Sequence, residues 1–216
     1  MEVFLDQEQI AGLEKLERAA MVNSITGFKN ANLIGTLNGE GNSNLAIFNS
    51  VVHIGANPAF MGFIIRPDSV ERHTLKNIEE RQFFTINHVN EKMYKQAHQT
   101  SARYPIEISE FDACGLNPVF KNKFPAPYVM DSNIKIGLSF QERIDIQLNG
   151  TILVIGKVVQ LYFPEHAWCL DGFVDIEKAG TIACSGLDSY HQTNRIARLS
   201  YAKPDKDPVE LEMKYK

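Results

Sequence analysis

The sequence predicts a mainly β fold of the α+β kind, an antiparallel barrel with a few peripheral helices. Three observations carry this expectation. Apolar, β-rich runs of strand length recur through residues 31–37, 44–54, 60–65, 83–88, 134–146 and 151–163. Several are separated by turn sequences, Asn38-Gly39-Glu40-Gly41, Asn57-Pro58 and Asn149-Gly150, which suit hairpins. Few helical patterns stand between strands, so the long crossovers of a parallel sheet have little chain to use.

The elements follow in order. Residues 6–20 read as an amphipathic helix, capped by Asp6 with Gln9 three residues on, and striped by Ile10, Leu13 and Leu16. Ala31 to Leu37 is the first strand. Asn44 to Ile54 is its return, broken or bulged near Asn49-Ser50, where two small polar residues interrupt the run. Phe60 to Ile65 follows the Asn57-Pro58 turn. Arg66 to His73 is a polar loop, and Thr74 caps a short helix over Leu75 to Arg81. Phe83 to His88 is a buried strand and Glu91 to Thr100 a helix. Residues 101–131, with prolines at 105, 118, 125 and 127, are irregular and suit a lid or an arm packed on a neighbour. The 134–146 and 151–163 strands flank Asn149-Gly150. The charged tail over 203–216 reads as loose.

The 216 residues read as a single domain, and a hydrophobic fraction of 44% can supply its core. A net charge of −4, without a basic stripe interleaved with aromatics, speaks against a nucleic-acid surface. No apolar run reaches membrane-spanning length, and acids occupy the start where a signal peptide carries Lys or Arg, so a cytoplasmic location is expected. Cys114, Cys169 and Cys184 are odd in number and far apart, which fits packed thiols in a reducing compartment. The six histidines lack the spacing of a helical metal site, so no metal is expected. The dinucleotide, phosphate-loop and nucleophile-elbow motifs are all missing.

Two segments could carry chemistry. Between Arg66 and Thr74 the chain places Arg66, Arg72, His73 and Thr74 on one loop that ends at a helix start. Helix starts offer unpaired N–H groups and the positive dipole end, and guanidinium groups bind phosphate oxygens bidentately. The alternative is a solvated basic loop with Asp68 and Glu71 as counter-charges. The second segment runs from Asn44 to His53. A strand broken at Asn49-Ser50 exposes backbone amides that suit the polar rim of a flat heterocycle; the alternative is a bulge facing solvent. Trp168, Tyr190 and Tyr201 could roof a pocket, although core packing suits at least two of them.

Read together and in order, these segments resemble the flavin reductase-like family of FMN-binding split β-barrels. The resemblance rests on Ala31-Asn32-Leu33-Ile34-Gly35-Thr36, Asn44-Leu45-Ala46, Phe48-Asn49-Ser50, Gly55-Ala56-Asn57-Pro58, Gly62-Phe63-Ile64-Ile65-Arg66-Pro67, His73-Thr74-Leu75-Lys76-Asn77-Ile78 and Thr85-Ile86-Asn87. It continues through Thr100-Ser101-Ala102, Ser109-Glu110-Phe111-Asp112, Gly115-Leu116 and Asn149-Gly150-Thr151, and covers about residues 23–190. It implies that the flavin ring edge lies along Asn49, Ser50, Val51 and His53. It implies further that the phosphate is held by Arg66, Arg72, His73 and Thr74, and that Asn87 sits near the cofactor. It also implies a homodimer, for which 101–131 is a candidate contributor, and electron transfer from NADH or NADPH through FMN to a small-molecule or protein acceptor. Many nicotinamide-using relatives carry a Thr-Ser pair after the Asn-Ser. Here the chain reads Val51-Val52-His53, which leaves the donor open and keeps an FMN-bound electron carrier or sensor as the alternative.

Overall fold

The computed structural model describes residues 1–67 and 73–216. The chain opens with two helices, α1 (Gln7–Gly12) and α2 (Lys15–Ile25), and a short strand β1 (Lys29–Asn30). Strands β2 (Asn32–Leu37), β3 (Ser43–Phe48), β4 (Val51–Ala56) and β5 (Ala59–Ile65) follow. Next come α3 (His73–Arg81), β6 (Phe83–His88), α4 (Tyr94–Gln99) and α5 (Glu110–Cys114). The pair β7 (Pro118–Val119) and β8 (Tyr128–Val129) leads into the long hairpin β9 (Lys135–Ile146) and β10 (Thr151–Tyr162). A 3-10 turn at Glu165–Ala167 and the small strands β11 (Ala183–Ser185) and β12 (Ser189–His191) complete the set.

The main sheet has seven strands in the order β3-β2-β6-β9-β10-β5-β4, every described pairing antiparallel. Its two edge strands, β3 and β4, are consecutive in the chain and joined by Asn49 and Ser50 alone. Two residues span only about 7 Å. The sheet therefore curls until its edges nearly meet, and the mainly β, antiparallel barrel expected from the sequence results. The break in the 44–54 run is thus a jump from one end of the sheet to the other.

Both faces of the sheet are covered near β2, which explains why its residues are buried without alternation. Ile34 points into the barrel with Phe63, Phe84, Ile86, Leu138 and Val154. Phe48, Phe63 and Phe84 stack edge to face there, with centroids 4.9 and 5.6 Å apart. Leu33 points the other way, toward Val89, Met93, Ala97 and Phe111 under α4 and α5. Each fully buried apolar side chain of this size contributes about 1.5–3 kcal/mol. The barrel packs closely at Gly35, where an added Cβ would meet the Pro127 carbonyl oxygen and, at 2.7 Å, Thr85 Oγ1.

Three expectations need correction. The helix expected over 6–20 is two helices broken at Leu13-Glu14. Its Asp6–Gln9 capping box is present, but neither helix buries a residue, and Leu16 is 83% exposed. The break is satisfied locally, because Arg18 Nη1 donates to the carbonyls of Ala11 and Leu13. Helix α3 starts at His73, so Thr74 lies inside its first turn rather than capping it. The tail is held to the body: the Leu170 N–H donates to the Lys214 carbonyl at 2.7 Å, the Lys216 N–H donates to the Trp168 carbonyl at 2.8 Å, and the Tyr215 hydroxyl donates to Asp175 at 2.7 Å. A buried carboxylate supplies the anchor, and sequence spacing gives no sign of that pairing. Among the described residues no helix is long and apolar enough to cross a membrane.

Candidate functional site

The site opens where the barrel is split. Ser50 extends the β4–β5 ladder one step past Val51 with its side chain: its hydroxyl donates to the Ile64 carbonyl at 3.0 Å and accepts the Ile64 N–H at 3.2 Å. Asn49 Nδ2 donates to the Gly186 carbonyl at 2.7 Å, which holds the β11–β12 hairpin against the strand break. Between these elements lies a cavity of about 800 Å³. Its walls come from β3, the end of β5, the start of α3, residues 98–104, Glu110 and the β11–β12 hairpin. That size falls within the range of clefts that hold drug-sized ligands or cofactors.

One part of the wall is built for an anion. Arg66 lines the cavity just past β5, and its guanidinium has no hydrogen-bond or ion-pair partner among the described residues. His73 and Thr74 line it from the first turn of α3, where backbone N–H groups lack helical acceptors and the dipole is positive. Thr74 Oγ1 accepts from Asn44 Nδ2 at 3.2 Å, so its own hydrogen is left to donate. Arg103 adds a second guanidinium to the lining. Glu110 is the counterweight. It is 7% exposed, its Oε2 accepts the Leu45 N–H at 2.9 Å, and burial raises its pKa while that hydrogen bond and nearby His73 pull it down.

The other notable part of the wall is aromatic. Tyr190 of β12 faces Cys184 of β11 in register and tilts against Tyr94 at 5.6 Å between centroids. Its hydroxyl meets His98 Nδ1 at 2.9 Å. Burial raises the Cys184 thiol and, chiefly, pushes the Tyr190 phenol up to about 12.

Of the residues singled out in the sequence, Asn49, Ser50, Arg66, His73 and Thr74 come together on this cavity. Val51 starts β4 and packs on the barrel core, and His53 is exposed further along the same strand. Asn87 is fully buried away from the lining. It donates to the Leu33 carbonyl at 3.1 Å and to Thr85 Oγ1 at 2.8 Å, and accepts the Val129 N–H at 3.0 Å, so it ties β6 to β2 and β8. Arg72 lies outside the described residues. Trp168 packs on Phe163, and Tyr201 is 91% exposed, so of the three candidate roofing aromatics Tyr190 lines the cavity.

Residue-level reading of the sequence took Cys184 as a packed thiol and His98 as a solvated or core side chain, and it gave Arg103 and Glu110 no role at a ligand. The signal for part of this wall was present in the Thr100-Ser101-Ala102 and Ser109-Glu110 stretches of the resemblance. Neither stretch carries a local pattern that points at a ligand, because only the packing of α4 and α5 beside β3 turns them toward one.

A sequence model described as the flavin reductase like domain matches residues 28–171. A split-barrel structure from Shewanella frigidimarina NCIMB 400, described as an inferred flavin reductase, is 47% identical with a TM-score of 0.90, over 93% of this chain and all of that one. The 2-nitrobenzoate 2-nitroreductase NbaA of Pseudomonas fluorescens shares the fold at a TM-score of 0.79 and 22% identity, over 95% of this chain and 99% of its own. A curated but uncharacterised protein of Aquifex aeolicus (strain VF5) is 24% identical over 103 residues, 47% of this chain and 53% of that protein, so the chain matches about half the length of this relative. On the extent of the family match and the identity to the Shewanella structure, the chain belongs to the flavin reductase-like family of split-barrel proteins.

Proposed function

We propose that this protein binds FMN in the cavity at the barrel split and acts as an oxidoreductase that takes electrons from NADH or NADPH and passes them to a further acceptor. The observation that carries this reading is the convergence of Arg66, His73 and Thr74 on a cofactor-sized cavity floored by the Asn49-Ser50 break. The donor set fits the group. Phosphate has a guanidinium and a hydroxyl hydrogen that are uncommitted among the described residues, an imidazole and the amides of a nine-residue helix. The ring has a mixed wall of strand edge, Cys184 and Tyr190. Bound there, FMN would supply two-electron transfer between a nicotinamide donor and an organic or protein acceptor. The chain's own part is to anchor the phosphate, fix the ring edge against the Asn49-Ser50 backbone, and exclude water beneath the β11–β12 hairpin.

We further place this activity in a homodimer. Helices α1 and α2 bury nothing, and Phe4, Ile25 and Phe28 are 81, 80 and 70% exposed, an apolar surface that a second copy would cover. Light scattering at micromolar concentration reads the assembly directly.

Titrating the apo-protein with FMN and riboflavin tests the anchor: FMN binds more tightly, and equal affinities would remove the phosphate argument. Anaerobic mixing of the FMN-loaded protein with each nucleotide tests turnover. Bleaching of the flavin by one nucleotide supports the reductase reading. Bleaching by dithionite alone would leave an FMN-bound electron carrier, the reading favoured by Val51-Val52-His53.

A further inference from the structure

A hydride carries two electrons and one proton. A flavin ring reduced by hydride to its neutral form takes up a second proton, and returns protons when it is reoxidised. That proton needs a donor held against the ring, and a hydrogen-bonded pair on the cavity wall that reaches the exposed surface can supply it.

We propose that Tyr190 and His98 form this route, with the Tyr190 hydroxyl as the proton donor and acceptor facing the ring and His98 as the relay to solvent. The inference rests on the FMN reading above. Both side chains line the cavity, and the hydroxyl meets His98 Nδ1 at 2.9 Å. Tyr190 is half-buried while His98 is exposed on α4, so the pair runs from the cavity wall to water. Their rings meet edge-on at 5.8 Å, and Tyr94 tilts against the phenol at 5.6 Å, so two neighbours restrict the Tyr190 ring.

The transfer balances without any other reactant. Tyr190 gives its hydroxyl proton to the ligand, His98 gives its Nδ1 proton to the Tyr190 oxygen, and Nε2 takes a proton from water; reoxidation runs the same path backward. A phenol pushed up to about 12 is a poor acid alone, so the two transfers are coupled. The ionisable groups around the pair are Cys184 across the β11–β12 ladder, Asp188 in the hairpin turn, Lys29 on β1 near Cys184, Tyr94 and Lys95 on α4, and Tyr104 and Arg103 along the cavity. None of them is hydrogen-bonded to the Tyr190 hydroxyl among the described residues, and His98 is.

The test uses FMN-loaded protein, photoreduced and then reoxidised by dioxygen across a pH series in H2O and D2O, so that no nicotinamide is required. The wild type is expected to show a pH-dependent rate and a solvent isotope effect. Tyr190→Phe slows reoxidation about tenfold or more and abolishes the isotope effect, and His98→Gln flattens the pH profile while FMN affinity is retained. A second readout needs no turnover. A phenol touching the ring quenches flavin fluorescence, so Tyr190→Phe brightens bound FMN several-fold. Unchanged fluorescence with an unchanged pH profile in Tyr190→Phe overturns the route while FMN binding stands. A lowered thermal midpoint in that variant with the pH profile intact assigns Tyr190 to packing and also overturns it. A wild type that does not bind FMN removes the parent reading along with this one.

Discussion

Replacing Asp175 with Asn should unlatch the C-terminal segment by an amount that can be worked out in advance. The Asp175 side chain is 3% exposed and paired with Arg195, whose own side chain is 25% exposed. It also accepts the Lys178 N–H at 3.0 Å and the Tyr215 hydroxyl at 2.7 Å. Burial alone would raise its pKa, but these hydrogen bonds, led by Arg195, outweigh burial and hold the carboxyl down to about 2, from 3.8. That difference corresponds to about 2 kcal/mol of stability at neutral pH. The sign follows from the depressed native value. The contribution is complete above the unfolded carboxyl's pKa and is lost as pH falls through the native one, so about half remains at pH 3. The Asn variant keeps the shape and an acceptor for Tyr215 but loses the charge. Its thermal midpoint should fall by about 4–8 °C at pH 7, and by clearly less at pH 3. Thermal unfolding of both proteins at the two pH values is the assay. An equal loss at both would refute the electrostatic argument, and no loss at pH 7 would show that the latch contributes nothing.

Three further outcomes are expected. Arg66→Ala weakens FMN binding about tenfold, the lower end for a charge-assisted contact because Arg66 is exposed, and leaves riboflavin affinity unchanged in parallel titrations. Ser50→Ala removes both hydrogen bonds to Ile64 and costs about 1–2 kcal/mol, read from denaturant midpoints, without changing the barrel's circular dichroism. Glu110→Gln keeps an acceptor for the Leu45 N–H and removes a buried charge. The native pKa is raised by burial, so ionisation at higher pH costs stability; the variant's midpoint therefore exceeds wild type at pH 7 and not at about pH 4, and FMN binds more tightly without the nearby negative charge.

Local sequence determined most of the strand inventory. Runs such as 83–88 and the hairpin about Asn149-Gly150 have propensity, length and turn chemistry that agree, so few alternatives compete. It also marked the polar pair at 49–50 and the basic loop entering α3, because small polar residues inside an apolar run and arginines before a helix have few local uses. What a buried polar side chain is for was decided only by tertiary packing. Asn87 and Asn49 look alike in sequence, each polar at the end of an apolar stretch. Asn87 spends both ends of its amide on Leu33, Thr85 and Val129 in the core, whereas Asn49 sits on the cavity wall and holds the hairpin over it. Partners 42, 54 and 137 residues distant leave no trace in a local window. The same reason hid the tail's anchor, since Asp175 finds Arg195 and Tyr215 only once the chain has doubled back. It hid as well the meeting of Tyr190 with His98, separated by 92 residues and brought together because the β11–β12 hairpin packs against α4.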